Sequence, residues 1–226
     1  MIELKHLCKN YGRHVVLDQL NGRFEPGKVY GILGPNGAGK TTLFRCIAGL
    51  ETYGGSIDSS HRPLKDHLGL LPTDPYFVPF MTGHEYLTLM MKARGLPVTL
   101  HNPFGLPLEK YAVTYSTGMK KQLALTGVLL QQNRYFILDE PYNGVDIQSS
   151  YAITDIITGL RARGAVVLIS SHIFSTLKDT CDELLLLQDH RLEPPVQRTE
   201  FEAFEERFRQ RHVTGVDLGF LDKPEN

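Results

Sequence analysis

The amino-acid sequence predicts an α/β fold with a largely parallel sheet, and three observations carry that prediction. Short apolar runs of β type alternate with longer helical ones, as strands joined by crossover helices require. A glycine-rich turn, GPNGAGKTT from Gly34 to Thr42, links an apolar run to a helical pattern. Two further apolar runs, YFIL and VVLISS, end on the polar pair Asp139–Glu140 and on His172, which buried strands would deliver to one sheet edge.

In chain order, the predicted strands are Val15 to Leu20, Val29 to Leu33, Leu68 to Leu71, Tyr135 to Leu138, Ala165 to Ser170 and Glu183 to Leu187. The turn Glu25 to Lys28 separates the first two, because Pro26 presets φ and Gly27 tolerates a positive one. A helical pattern follows Thr42. Thr82 with Glu85 reads as a capping box for a helix that ends near Arg94, before Gly95. Another helix starts after Ser116, and a third runs from Ile147 to Arg163 between Asp146 and Gly164. Pro97, Pro103 and Pro107 rule out a continuous helix from Gly95 to Tyr111. That stretch is an irregular connection within a small helical subdomain, about 74–132, inserted in the α/β body. Residues 193–226 form a separate C-terminal segment, an amphipathic helix with Phe201, Phe204 and Phe208 on one side, then a loose tail from about Thr214. Thr199 with Glu202 is its expected cap, and the phenylalanines are expected to lie on their own domain.

Composition narrows the function. With 24 Lys+Arg against 25 Asp+Glu among 226 residues, no global field draws the chain to nucleic acid or an anionic bilayer. No apolar run exceeds about five residues, whereas a bilayer takes roughly 20. The first residues, MIELKHLCKNYG, are too charged for an export signal. Cys8, Cys46 and Cys181 form no CxxC pair and read as reduced core thiols.

The chemistry begins at Gly34–Thr42, which satisfies G-x-x-x-x-G-K-[ST] between a strand and a helix and so predicts a phosphate-loop NTPase core. Gly34, Gly37 and Gly39, with Pro35, Asn36 and Ala38 between them, turn backbone N–H groups inward to cradle a polyphosphate, and the helix N-terminus adds its positive end. Lys40 supplies a charge toward the β- and γ-phosphates, Thr41 an oxygen for Mg²⁺, and Thr42 a further phosphate contact. The glycine order is not the G-x-G-x-x-G of dinucleotide folds. Asp139 suits a hydrated Mg²⁺, and Glu140 is placed to orient or deprotonate an attacking water. His172 is the one histidine expected at that edge, and no spacing suggests zinc.

These motifs, with YSTGMKKQ (Tyr115 to Gln122) and PYNGVD (Pro141 to Asp146), resemble the nucleotide-binding subunit of an ATP-binding cassette (ABC) transporter, particularly the cassettes of bacterial exporters. The resemblance spans residues 2 to about 192, an ABC ATPase domain of 1–192. It implies an antiparallel β part at the N-terminus, Tyr11 stacking on adenine, and His172 as the switch histidine. It also implies ATP hydrolysis with Mg²⁺ by two cassettes, identical or different, closed head to tail. Ser116, Thr117 and Gly118 of each would face the ATP bound by the other. The expected partners are a second cassette, a polytopic membrane permease and ATP, without nucleic acid. The expected location is cytoplasmic, peripheral at the inner face of the cell membrane.

The sequence departs from that family in three places. Thr73 stands where a glutamine usually links the metal site to the membrane domain. Its hydroxyl is about 2.5 Å shorter in reach, so Thr73 joins the metal set only through a backbone shift or a bridging water. ATP binding with altered hydrolysis or coupling is expected. The stretch Gly95 to Tyr115 is shorter than usual by roughly ten residues, about three helical turns, which reduces the docking surface or transfers docking to the C-terminal phenylalanines. Thr117 and Met119 relax the signature. The alternative function is a nucleotide-gated regulatory module with weak hydrolysis. Cassettes of DNA repair or ribosomes usually carry coiled coils or paired domains, and GTPases an NKxD motif; this sequence has none of these.

Overall fold

The computed structural model describes residues 1–212, so the tail expected from Thr214 lies outside the described residues. Strands β1 (Ile2–Tyr11), β2 (His14–Phe24) and β3 (Lys28–Leu33) lead into α1 (Lys40–Ile47), followed by β4 (Gly54–Ser59), β5 (Leu68–Leu71), α2 (Gly83–Lys92) and α3 (Thr117–Leu130). Then come β6 (Tyr135–Leu138), α4 (Ile147–Ala162), β7 (Val166–Ser171), α5 (Phe174–Lys178), β8 (Glu183–Gln188), β9 (Arg191–Leu192), β10 (Val196–Gln197) and α6 (Phe201–His212).

Two sheets result. The central one runs β10-β8-β3-β7-β6-β5, parallel from β8 to β5, with antiparallel β10 at its edge and β9 paired to β8. A smaller antiparallel sheet has the order β2-β1-β4. The fold is α/β with a mixed, mostly parallel sheet, as expected. Strands β1 and β4 were not among the predicted ones. β1 carries charged residues in an irregular pattern (Lys5, His6, Lys9), and its pairing with β2 and β4 contains register shifts, so its alternation is broken.

Alternation along the central strands divides the core. Val29, Leu33, Phe136, Leu138, Val167 and Ile169 pack with apolar residues of α3 and α4 on one face. Tyr30, Ile32, Tyr135, Ile137 and Leu168 pack with α1 and the antiparallel sheet on the other. Strands covered on both faces read as continuous apolar runs, which is why YFIL and VVLISS were legible.

Register sets the position of the site. Leu33 pairs with Ser171, and Leu138 with Ile169, so Gly34, Asp139–Glu140 and His172 all emerge at the carboxyl edge of the sheet.

Between residues 74 and 132, α2 begins at the expected Thr82–Glu85 capping box but ends at Lys92, two residues early, and Gly95 adopts φ 66°. Gly95 to Tyr111 contains no helix or strand, apart from an isolated bridge at Tyr111, and Ser116 caps α3 as expected. At the C-terminus, a capping box of Gln197 and Glu200 forms ahead of α6, replacing the expected Thr199–Glu202 pair because a short 3₁₀ turn, Arg198–Glu200, intervenes. Phe201 and Phe204 are buried, and Phe174 packs against both. Phe201 and Phe204 of the stripe therefore cover their own domain. Cys46 and Cys181 are buried, and burial pushes the Cys46 thiol up to about 11, whereas Cys8 is only half-buried.

Candidate functional site

The glycine-rich loop turns around backbone that few residues tolerate. Gly39, the N-cap of α1, sits at φ 103° and contributes no capping side chain, so the first-turn N–H groups of α1 have no side-chain acceptor. The first turn also lacks an acidic residue, which leaves the positive end of the helix unneutralised. A cavity of about 400 Å³ opens in front of it. Val16, Asn36 to Thr42, Thr73, Glu140, Asn143 and His172 line it.

Four elements aim polar groups into this space. From α1, the Lys40 ammonium donates to the carbonyls of Gly34 (2.8 Å) and Pro35 (3.2 Å) and lies 3.5 Å from Glu140 Oε1. Beyond β6, Glu140 adopts φ 50°, a left-handed conformation unusual for a residue with a side chain. Beyond β7, His172 Nδ1 lies 3.2 Å from both carboxylate oxygens of Glu140. Hydroxyl donors surround Asp139: Thr41 Oγ1 at 2.6 Å and Thr73 Oγ1 at 2.8 Å on Oδ2, and Ser170 Oγ at 2.5 Å on Oδ1.

Thr73 thus reaches the carboxylate of the candidate metal site directly, despite its short side chain. Thr41, Thr73 and Asp139 form a set of hard oxygen donors, and among the described residues no group of three His, Cys, Asp or Glu exists to hold a softer metal. Such a set suits Mg²⁺, which keeps waters and phosphate oxygens and takes one or two protein carboxylates.

Not every predicted residue is gathered here. Tyr11, at the end of β1, is 46% exposed and outside the cavity lining, with the Lys9 ammonium 4.7 Å from its ring centroid. Ser116 and Thr117 are exposed at the N-terminus of α3, away from the cavity lining. Three residues that sequence reasoning missed complete the arrangement. Ser170 Oγ, fully buried, donates to Asp139 and accepts from the Glu140 N–H at 2.9 Å. Asn143 lines the cavity, and Lys121, buried in α3, donates to the Glu140 and Asn143 carbonyls. Ser170 was hidden inside a run read only as a strand, and nothing in the sequence set Lys121 apart from its neighbour Lys120 in the polar first turns of α3.

The family model described as ABC transporter matches residues 17–143. The chain belongs to the ABC transporter family. A Bacillus subtilis protein named as an uncharacterized ABC transporter ATP-binding protein is 33% identical over 85% of this chain and 68% of its own length. The bacitracin transport ATP-binding protein of Enterococcus faecalis is 30% identical over 96% of this chain and 74% of its own. A solved ATP-binding subunit of an ABC transporter superposes with a TM-score of 0.80 at 25% identity, over 95% of both chains. This chain is accordingly an ABC transporter ATP-binding subunit, and none of its described helices is long and apolar enough to cross a membrane.

Proposed function

We propose that this subunit hydrolyses ATP, closing head to tail with a second cassette to drive a separate membrane permease. One observation carries the hydrolytic reading: Lys40, Glu140 and His172, from three different elements, converge on the cavity in front of the glycine-rich loop. The backbone N–H groups of Gly34 to Thr42 would hold the phosphates, and the Lys40 ammonium would leave its loop carbonyls for the β- and γ-oxygens. Thr41 and Asp139, with Thr73 beside them, would hold Mg²⁺, which when bound neutralises developing charge on those oxygens. Glu140 takes the proton of the water that attacks the γ-phosphorus as the bond to the ADP oxygen breaks, and His172 fixes the carboxylate's orientation.

The partner assignments rest on surfaces. Ser116, Thr117 and Gly118 begin an exposed helix N-terminus, suited to a phosphate on a facing cassette. Tyr76, Val78, Phe80, Leu89 and Tyr111 are exposed apolar residues within 74–132, an apolar surface of the kind a permease could cover. A subunit so docked would lie peripherally at the inner face of the cell membrane. Tyr11, exposed at the end of β1, remains the proposed adenine platform.

The test compares wild type with Glu140→Gln. The variant should bind ATP and dimerise while turning over roughly 10² to 10⁴ times more slowly; equal rates would remove Glu140 from its role. Thr73 in the place of glutamine supports a second reading, a nucleotide-gated regulatory module. Stoichiometric ATP-driven dimerisation with negligible wild-type turnover, even beside the permease, selects that one.

A further inference from the structure

Lys121 is 1% exposed, and no carboxylate lies within ion-pair distance of it among the described residues. Burial lowers its affinity for a proton, and the charges of Asp74, Glu140 and Asp139 act the other way. Its ammonium donates to two backbone carbonyls, Glu140 O at 2.7 Å and Asn143 O at 2.8 Å. Those carbonyls are the first and last of a tight turn, because the Asn143 N–H also donates to Glu140 O at 3.1 Å. Lys121, which is not among the residues lining the cavity, therefore clips the turn shut. The clipped residue, Glu140, has left-handed backbone at φ 50°, a state that persists only where its surroundings hold it.

The same helix has a second contact with the turn. At its first residues, a side chain on Gly118 would come within 3.2 Å of the Gly144 carbonyl, and one on Gly144 within 3.2 Å of Thr117 Cγ2. The N-terminus of α3 thus lies directly on Gly144 and Val145, one helical turn from Lys121.

We infer that Lys121 is a positioning residue: by holding the Glu140 and Asn143 carbonyls it sets the direction of the Glu140 carboxylate, and it ties that carboxylate to the exposed end of α3. The inference rests on the proposed role of Glu140 in hydrolysis and adds a physical link to it. Any shift of Ser116–Gly118 is transmitted through a stiff helix to the group that handles the water.

The experiment measures steady-state ATPase kinetics of the full chain for wild type, Lys121→Met, Lys121→Gln, Glu140→Gln and the Lys121→Met/Glu140→Gln double variant. Methionine keeps the length and loses the donor, so kcat should fall roughly 10- to 100-fold with KM within about threefold. Glutamine retains an N–H donor and should recover part of that loss. The double variant should be no slower than Glu140→Gln alone, because Lys121 acts only through that carboxylate. A merely structural lysine would give multiplicative losses instead. If Lys121→Met fails to fold, Lys121→Gln replaces it in the same cycle. An active wild type with equally active Lys121 variants, or multiplicative losses, overturns the inference and leaves the hydrolytic reading standing; an inactive wild type overturns both.

Discussion

Two tight turns meet at the carboxyl edge of the central sheet, and they obtain their backbone conformations differently. In the loop from Gly34 to Thr42, left-handed backbone falls on glycines, Gly37 at φ 83° and Gly39 at φ 103°. Across the cavity, Glu140 carries a full side chain at φ 50°. For an L-residue that conformation costs about 1 to 2 kcal/mol. Ser170 on its N–H and Lys121 on its carbonyl offset the cost with bonds from two other elements. The glycine loop needs little help from its surroundings, whereas the acidic turn exists only because the fold imposes it. The division fits the proposed function, in which a phosphate cradle would work through backbone N–H groups and benefit from missing side chains. A carboxylate that handles water has to be a side chain, so its strain is held by neighbours.

The largest expected effect that would break this contrast comes from Gly34→Ala. Its Cβ would meet the Leu187 carbonyl at 2.5 Å, a backbone atom that no side-chain rotation can move aside. ATP affinity should fall about 100-fold or more, the scale of a few kcal/mol of overpacking. Fluorescence titration with a labelled ATP analogue reads it, and an unchanged affinity would show that the loop does not depend on the missing side chain.

Ser170→Ala attacks the other turn. It leaves the Glu140 N–H buried without its acceptor and removes one donor from Asp139, which should destabilise the fold by about 2 kcal/mol. Urea unfolding measures this, with ATP binding as the companion readout; a variant as stable as wild type would place the support of Glu140 elsewhere.

A smaller difference sharpens the comparison further. Both Glu140→Ala and Glu140→Gly lose the carboxylate, but only glycine relieves the left-handed backbone, so the glycine variant should be the more stable by about 1 kcal/mol. Equal stabilities in denaturant unfolding would mean that the turn stores no strain.

The same physics explains what could be read in advance. Gly34–Thr42 was legible because its pattern is local: glycines, Lys40 and Thr41 are contiguous, and the turn forms between β3 and α1 from those residues alone. Tyr135–Leu138 and the run ending at His172 were legible because strands buried on both faces must be apolar throughout. The irregular stretch after Gly95 followed from its prolines. Strand β1 was missed, since bulges break the alternation that one buried and one wetted face would otherwise produce. The cap of α6 was misread because Gln197–Glu200 and Thr199–Glu202 have equivalent spacing, and only the 3₁₀ turn selects the first.

Thr73 shows what an argument from side-chain reach leaves open. Comparing side-chain lengths put the threonine hydroxyl in the metal set only through a backbone shift or a bridging water. In the folded chain the segment after β5 passes close enough for Thr73 Oγ1 to donate to Asp139 at 2.8 Å. Distance between segments is a property of packing, and the identity of the residue alone does not contain it.

By itself, then, the sequence determined the α/β class, the phosphate loop, the acidic pair and the histidine, because backbone freedom, apolar periodicity and charge are written residue by residue. Only the tertiary structure decided that Ser170 and Lys121 hold Glu140, that Thr73 reaches Asp139, and that the C-terminal phenylalanines cover Phe174. Those arrangements join residues 19 to 66 positions apart in the first three cases. They depend on sheet register and helix packing, which the chain acquires only when all its elements are assembled together.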